Sequence, residues 1–181
     1  MNGSMFDRPI FDEPPDDLGN NEFEFGHLLV YGAGLEAIEV AWAFKAAGDR
    51  LLATALDNRE SWEAAYPILF CYRHALEVHL KALVPPSGKQ HDLETLWKNV
   101  RTKLDSRYRA DQIRWLGDRL LEFHQIDPRS TAFRYHDAPP RISAAELWVD
   151  FRHLKTTLQT IFQALDRIRL DMSLSSREAA T

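Results

Sequence analysis

An apolar seam near the C-terminus of this 181-residue chain repeats in alternating steps of four and three residues. It comprises Leu147, Phe151, Leu154, Leu158, Ile161, Leu165 and Ile168. Because a helix turns once in 3.6 residues, this spacing keeps the seam on one side of a single long helix. The pattern predicts a helix from about Ser143 to Asp171, with Ser143 and Glu146 as its capping box. The seam faces either a bundle core or a second copy of the chain.

Four earlier segments also show helical periodicity, and no segment alternates in the way a strand does. The predicted helices cover residues 35–57, 60–84, 91–104 and 110–125. Pro67 falls inside the second, so that helix either kinks or begins there. We therefore predict an all-α, up-and-down helical bundle of about five helices over residues 34–171. An acidic, largely irregular arm (1–33) precedes it, and a flexible tail (172–181) follows.

Charge is distributed unevenly along the chain. The formal net charge is -5, and the first 33 residues hold seven acidic side chains against Arg8 alone, so the remaining residues are close to neutral. Cys71 is the only cysteine, which excludes a disulfide within the chain and is typical of a reducing compartment. No N-terminal apolar run and no stretch of membrane-spanning length is present. We predict a cytoplasmic protein with no membrane contact.

A charged residue interrupts the apolar face of the second predicted helix. Arg73 projects into the arc formed by Leu76, Leu80 and their neighbours, where a buried charge costs several kcal/mol unless it is paired. Glu77 lies one turn further on and can pair with it. Arg73 is therefore either a structural ion pair or a group held open for a ligand, and His79 sits at the edge of the same arc.

Arginine and histidine together suit phosphodiester chemistry. Arginine binds phosphate with a planar fork, and histidine transfers protons near neutral pH. A 2′-hydroxyl next to the phosphate supplies an internal nucleophile, so this chemistry requires neither a metal nor a cofactor. His74 and His79 are about 140° apart on the helix and do not converge on a metal. We predict no metal ligands and no cofactor.

The segment Tyr72-Arg-His-Ala-Leu-Glu-Val-His-Leu-Lys-Ala-Leu83 resembles the core helix of HEPN domains (higher eukaryotes and prokaryotes nucleotide-binding). Their motif is an arginine, a polar residue and then a histidine after four to six intervening positions, which Arg73, His74 and His79 match. The segments 91–97 and 131–135 resemble later parts of similar bacterial proteins. The resemblance covers roughly residues 35–170.

This resemblance implies an all-α homodimer that cleaves RNA without a metal, as in toxin–antitoxin and other defence systems. Arg73 would hold the scissile phosphate, His79 would act as general acid or base, and His74 would orient the RNA backbone. Many HEPN proteins are not nucleases. The alternative is therefore a non-catalytic helical module that binds a cognate protein partner, a nucleotide or RNA.

The predicted loop 126–142 combines arginines with an aromatic residue. Arg129, Arg134 and Tyr135 are the candidate substrate-binding residues, because arginine binds phosphate and an aromatic ring stacks on a base. Asp127 and Asp137 offset part of this positive charge. The alternative is a loop that is pinned by salt bridges and by the packing of Tyr135.

Overall fold

The computed structural model describes residues 35–60, 62–104, 107–134 and 148–178. This part of the chain is helical and contains no strand, which confirms the predicted all-α bundle. The helices are α1 (Ala37–Asn58), α2 (Ala65–Leu83), α3 (Leu93–Arg101), α4 (Ala110–Ile126) and α5 (Phe151–Glu178), with a 3-10 turn at Trp62–Ala64 before α2. Among the described residues, no helix is both long enough and apolar enough to cross a bilayer.

Helix α2 lies at the centre of the bundle and packs against α1, α3 and α5. Its side chains Ile68, Tyr72, Leu76 and Leu80 are fully buried. The contact with α1 is the most extensive in the bundle. It is close because Gly48 of α1 faces the Tyr72 ring, and a Cβ at that position would lie only 3.0 Å from Tyr72 Cε1.

The start of α2 explains how Pro67 is accommodated. The helix begins at Ala65, so Pro67 occupies its first turn. Backbone N–H groups in a first turn have no partner within the helix, and the missing proton of proline therefore costs nothing there. Of the two possibilities for Pro67, the start of the helix is the one that applies, since α2 begins two residues before it.

The apolar seam of α5 packs into the bundle core. Leu158, Ile161, Leu165 and Ile168 are buried, and Phe151 and Leu154 lie half-buried against the same cluster. Leu147, the first residue of the predicted seam, lies outside the described residues. The bundle-core alternative therefore accounts for the seam, and the side chains that a dimer contact would have used are already covered.

Both predicted ends of α5 were wrong. Residues 148–150 are not helical, and the helix begins at Phe151 because Asp150 caps it, accepting hydrogen bonds from the backbone N–H groups of Arg152 (2.8 Å) and His153 (3.1 Å). The predicted capping residues Ser143 and Glu146 lie outside the described part.

At the other end, α5 continues to Glu178, through most of the predicted flexible tail. Met172 packs against the core, and Arg107 Nη2 donates a hydrogen bond of 3.0 Å to Ser175 Oγ. These contacts hold the extra turns that the sequence pattern assigned to the tail.

Candidate functional site

Arg73 of α2 lies in the core with three of its nitrogens engaged. Nη1 donates to Oε2 of Glu77 (3.1 Å), Nη2 to the carbonyl of His91 (2.6 Å) and Nε to the carbonyl of Asp127 (3.2 Å). None of its surface is exposed, and burial lowers its pKa. The predicted pairing of Arg73 with Glu77 is present. The guanidinium ties α2 to the segments before α3 and after α4.

Glu77, which is almost fully buried, completes this network. It accepts from Lys81 Nζ (2.6 Å) and lies 2.8 Å from His91 Nδ1 as well as pairing with Arg73. Burial raises the pKa of Glu77, but the hydrogen bonds from Lys81 and His91 and the charge of Arg73 outweigh it, and the pKa is lowered. The carboxylate is therefore held ionised by three partners.

His79 lies towards α5 and away from the Arg73 network. It is fully buried, and the nearest ionic group is Asp166, whose Oδ1 lies 3.7 Å from Nε2. That distance is too long for a hydrogen bond, and neither ring nitrogen has a partner of good geometry in the described part of the chain. Burial lowers the pKa of His79 to about 4, so its ring is neutral at pH 7.

His74 occupies a third position, on the half-buried side of α2. Its ring stacks on Phe70 at 5.9 Å and meets the edge of Phe44 at 4.4 Å, and burial lowers its pKa. The guanidinium of Arg134 also lies over Phe70, at 5.9 Å from the ring centroid, and its Nε donates to the Ser130 carbonyl. The structure thus brings His74 and Arg134 to one face of the bundle.

The remaining predicted residues are less informative. Arg129 is exposed in the turn after α4, and Tyr135 lies outside the described residues. Within one chain, Arg73, His74 and His79 point towards three different surroundings. They do not share a cleft.

A cleft of about 760 Å³ separates α4 from α5. Leu116 and Ile168 are buried at its floor, and Ile113 and Ala164 are half-buried beside them. The exposed side chains along the cleft are those of Arg107, Asp111, Gln112, Trp115, Thr160, Gln163 and Arg167. An apolar floor with a few polar groups around it is the usual form of a ligand site.

Acidic groups at this cleft are engaged by neighbouring donors. Arg109 binds both carboxylate oxygens of Asp111, at 3.1 and 2.7 Å. Tyr108 donates to Asp171 Oδ2 (2.7 Å), and Arg167 Nε lies 4.0 Å from the same oxygen. Arg167 remains 81% exposed, so its charge is available at the mouth of the cleft.

Metal-ligating side chains converge at a different place, between α3 and α4. Among the described residues, Asp92, Glu94 and His124 form one group with donor atoms within 4.8 Å of one another. The sequence did not predict this group or the α4–α5 cleft, because each is assembled from two helices and local spacing does not tell which of their faces meet.

No family model matches this chain, and no curated protein or solved structure matches it significantly. The resemblance to HEPN domains therefore rests on the sequence segments themselves and stays a prediction.

Proposed function

We propose that this protein is a non-catalytic helical module that binds single-stranded RNA in the cleft between α4 and α5. The observation that carries the proposal is the exposed indole of Trp115 on the α4 wall, with Gln163 and Arg167 on the α5 wall. An aromatic face stacks on any base, an amide hydrogen-bonds to base edges, and a guanidinium binds phosphate. All three contacts of RNA recognition are available in one cleft.

The acidic net charge of the chain does not outweigh these contacts. Stacking of one base on an aromatic side chain contributes about 1–3 kcal/mol. Repulsion from distant carboxylates is screened over about 10 Å at 0.1 M salt. Asp111, which lines the cleft, is paired with Arg109, and Asp171, which is 4.0 Å from Arg167, accepts a hydrogen bond from Tyr108. Local contacts in the cleft therefore decide the binding.

The state of Arg73 favours binding over cleavage. Removing its guanidinium from Glu77 would leave a buried carboxylate with one partner fewer and two backbone carbonyls without a donor. Breaking a buried pair costs about 3–5 kcal/mol. A catalytic role for Arg73, alone or across a homodimer interface, requires that rearrangement, whereas RNA binding in the cleft requires none.

Fluorescence anisotropy with a labelled single-stranded RNA of about 12 nucleotides tests the proposal at low salt. We expect Trp115→Ala to weaken binding about tenfold, which corresponds to the loss of one stacked base. The matched control is Trp148→Ala, because Trp148 is 87% exposed and lies outside this cleft. Absence of binding, or equal losses in the two variants, would refute the assignment of the cleft.

The metal-independent ribonuclease that the HEPN resemblance implies is the second candidate. The observation that favours it is the His79 ring, whose nitrogens have no hydrogen-bond partner of good geometry among the described residues, while the Asp166 carboxylate lies 3.7 Å away. A histidine beside a carboxylate is a common general acid–base arrangement. Incubation of structured and single-stranded RNA with excess chelator separates the two functions. Cleavage that is lost in His79→Gln would support the ribonuclease, and intact RNA supports the binding module.

A further inference from the structure

We infer that Asp92, Glu94 and His124 form a binding site for Zn²⁺ that clamps the start of α3 to the end of α4. Asp92 is the N-cap residue of α3, Glu94 lies in its first turn, and His124 lies in the last turn of α4. The site is separate from the α4–α5 cleft and does not depend on the proposed RNA binding.

The donor atoms lie at distances that suit a tetrahedral ion. Nδ1 of His124 is 3.5 Å from Oδ2 of Asp92, and one donor atom from each of the three residues lies within 4.8 Å of the other two. Two ligands about 2.1 Å from a tetrahedral Zn²⁺ lie about 3.4 Å apart, whereas neighbouring ligands of an octahedral Mg²⁺ lie about 3.0 Å apart. Small side-chain rotations bring one donor from each residue around a single ion.

Each carboxylate is already oriented by a hydrogen bond to its other oxygen. The backbone N–H of Thr95 donates to Oδ1 of Asp92 (2.7 Å), and Lys98 Nζ lies 2.7 Å from Oε1 of Glu94. This leaves Oδ2 and Oε2 turned towards the imidazole. Hydrogen bonds of this kind hold the ligands of known metal sites in place and raise their affinity.

The imidazole of His124 gives a second, separate indication that a metal ion binds here. Nδ1 of His124 is buried, yet it has no hydrogen-bond partner in the described part of the chain. A buried polar atom without a partner costs about 1–3 kcal/mol, and coordination would remove that cost. One nitrogen and two carboxylate oxygens favour zinc over the hard cations, which prefer oxygen alone.

Three protein ligands leave one position of a tetrahedral ion for water or an external ligand. Asp92, Glu94 and His124 are each partly exposed, so this position is reachable from solvent. The ion would neutralise the carboxylates of Asp92 and Glu94, which offer donor atoms within 4.8 Å of each other.

Titration of Zn²⁺ into protein stripped with chelator, followed by calorimetry at about pH 7.5, tests the site. We expect one ion per chain with Kd at or below about 1 μM, and a thermal midpoint raised by about 5 °C at a hundredfold excess over Kd. His124→Gln and Asp92→Asn should each weaken binding at least tenfold. Asp92→Asn keeps the α3 cap, since asparagine caps helices as well as aspartate does. A loss of zinc binding in this variant would therefore reflect the missing carboxylate and not a change in folding.

The matched controls are His153→Gln and Glu122→Gln, which change the same residue types elsewhere on the surface and should leave Zn²⁺ affinity unchanged. Absence of zinc binding would overturn the inference, and so would binding that His124→Gln and Asp92→Asn leave intact. Preference for Mg²⁺ over Zn²⁺ in the same titration would overturn the tetrahedral assignment.

Discussion

The guanidinium of Arg73 and the carboxylate of Glu77 form an ion pair of 3.1 Å in which neither side chain is more than 1% exposed. Both residues belong to α2, one helical turn apart, and each has further partners on other segments. The pair therefore joins the central helix to the segments before α3 and after α4. Its energetic role follows from burial, because a buried charge that loses its partner is costly.

We expect Arg73→Leu to destabilise the protein by about 3 kcal/mol. The substitution leaves the carbonyls of His91 and Asp127 without the donor from Arg73, and it leaves the Glu77 carboxylate without its arginine partner. For a chain of this size the thermal midpoint should fall by about 10 °C. A thermal melt compares this variant with Arg50→Leu, which removes an exposed arginine of α1 and should change stability little. An equal or higher midpoint for Arg73→Leu would show that the contacts of Arg73 contribute no net stability.

The double variant Arg73→Leu/Glu77→Leu refines that experiment. Removing both charges eliminates the unpaired buried carboxylate, and replacing buried ion pairs by apolar side chains is often neutral. We expect the double variant to recover part of the stability that Arg73→Leu loses. Additive losses in a thermal melt would show that the two residues do not act as a pair.

The helices could be predicted because their spacing is a local property. The α5 seam was recognised from its steps of four and three, and Pro67 limited the start of α2. The start of α5 could not be predicted, because the seam runs through both Leu147 and Phe151 and either Ser143 or Asp150 can cap a helix. In the structure, residues 148–150 are not helical, and Asp150 caps the helix that follows.

The candidate sites were harder to predict, because periodicity does not tell which helix faces meet. Arg73 was recognised as a charge on an apolar stripe, and its partner Glu77 was found from the spacing alone. The acceptors on His91 and Asp127 lie on other segments and gave no signal in the sequence. Trp115 and Arg167 line one cleft because α4 packs beside α5, and the spacing of residues within each helix does not show this.

Gly48 of α1 and Gly117 of α4 differ in how much space a Cβ atom would have at each position. A Cβ at Gly117 would lie 2.6 Å from Nε1 of Trp97, whose ring is buried, whereas a Cβ at Gly48 would lie 3.0 Å from the Tyr72 ring. Alanine gains about 1 kcal/mol over glycine in a helix, but overpacking costs about 1–3 kcal/mol. We expect Gly117→Ala to lower the free energy of unfolding by about 1 kcal/mol and Gly48→Ala to change it less. Urea unfolding measures both, and a stabilised Gly117→Ala would contradict the packing.

Arg167 should control the salt dependence of RNA binding if the α4–α5 cleft is the site. Each phosphate contact contributes about 0.7 to the slope of log affinity against log salt for single strands. We expect Arg167→Gln to reduce the slope by about that amount. The matched control is Arg152→Gln, an exposed arginine of α5 outside the cleft, which should keep the slope of the parent protein. Anisotropy titrations between about 50 and 200 mM salt provide the measurement, and equal slopes for all three proteins would place the phosphate contact elsewhere.

His79 should make the stability depend on pH in the acidic range. Its pKa is lowered to about 4 in the folded protein, from 6.5 when exposed, mainly because burial disfavours the charged ring. Between these values the unfolded chain binds a proton that the folded protein does not, so stability falls as the pH drops from about 6.5 to about 4. A shift of this size corresponds to about 3 kcal/mol. Urea unfolding at several pH values measures the effect. As the pH falls from about 6.5 to about 4, the free energy of unfolding of His79→Leu should decrease by about 3 kcal/mol less than that of the parent protein. The comparison variant His74→Gln should have a smaller effect, since His74 is only half-buried. If His79→Leu loses as much stability as the parent, His79 is protonated in the folded protein, and its pairing with Asp166 outweighs burial.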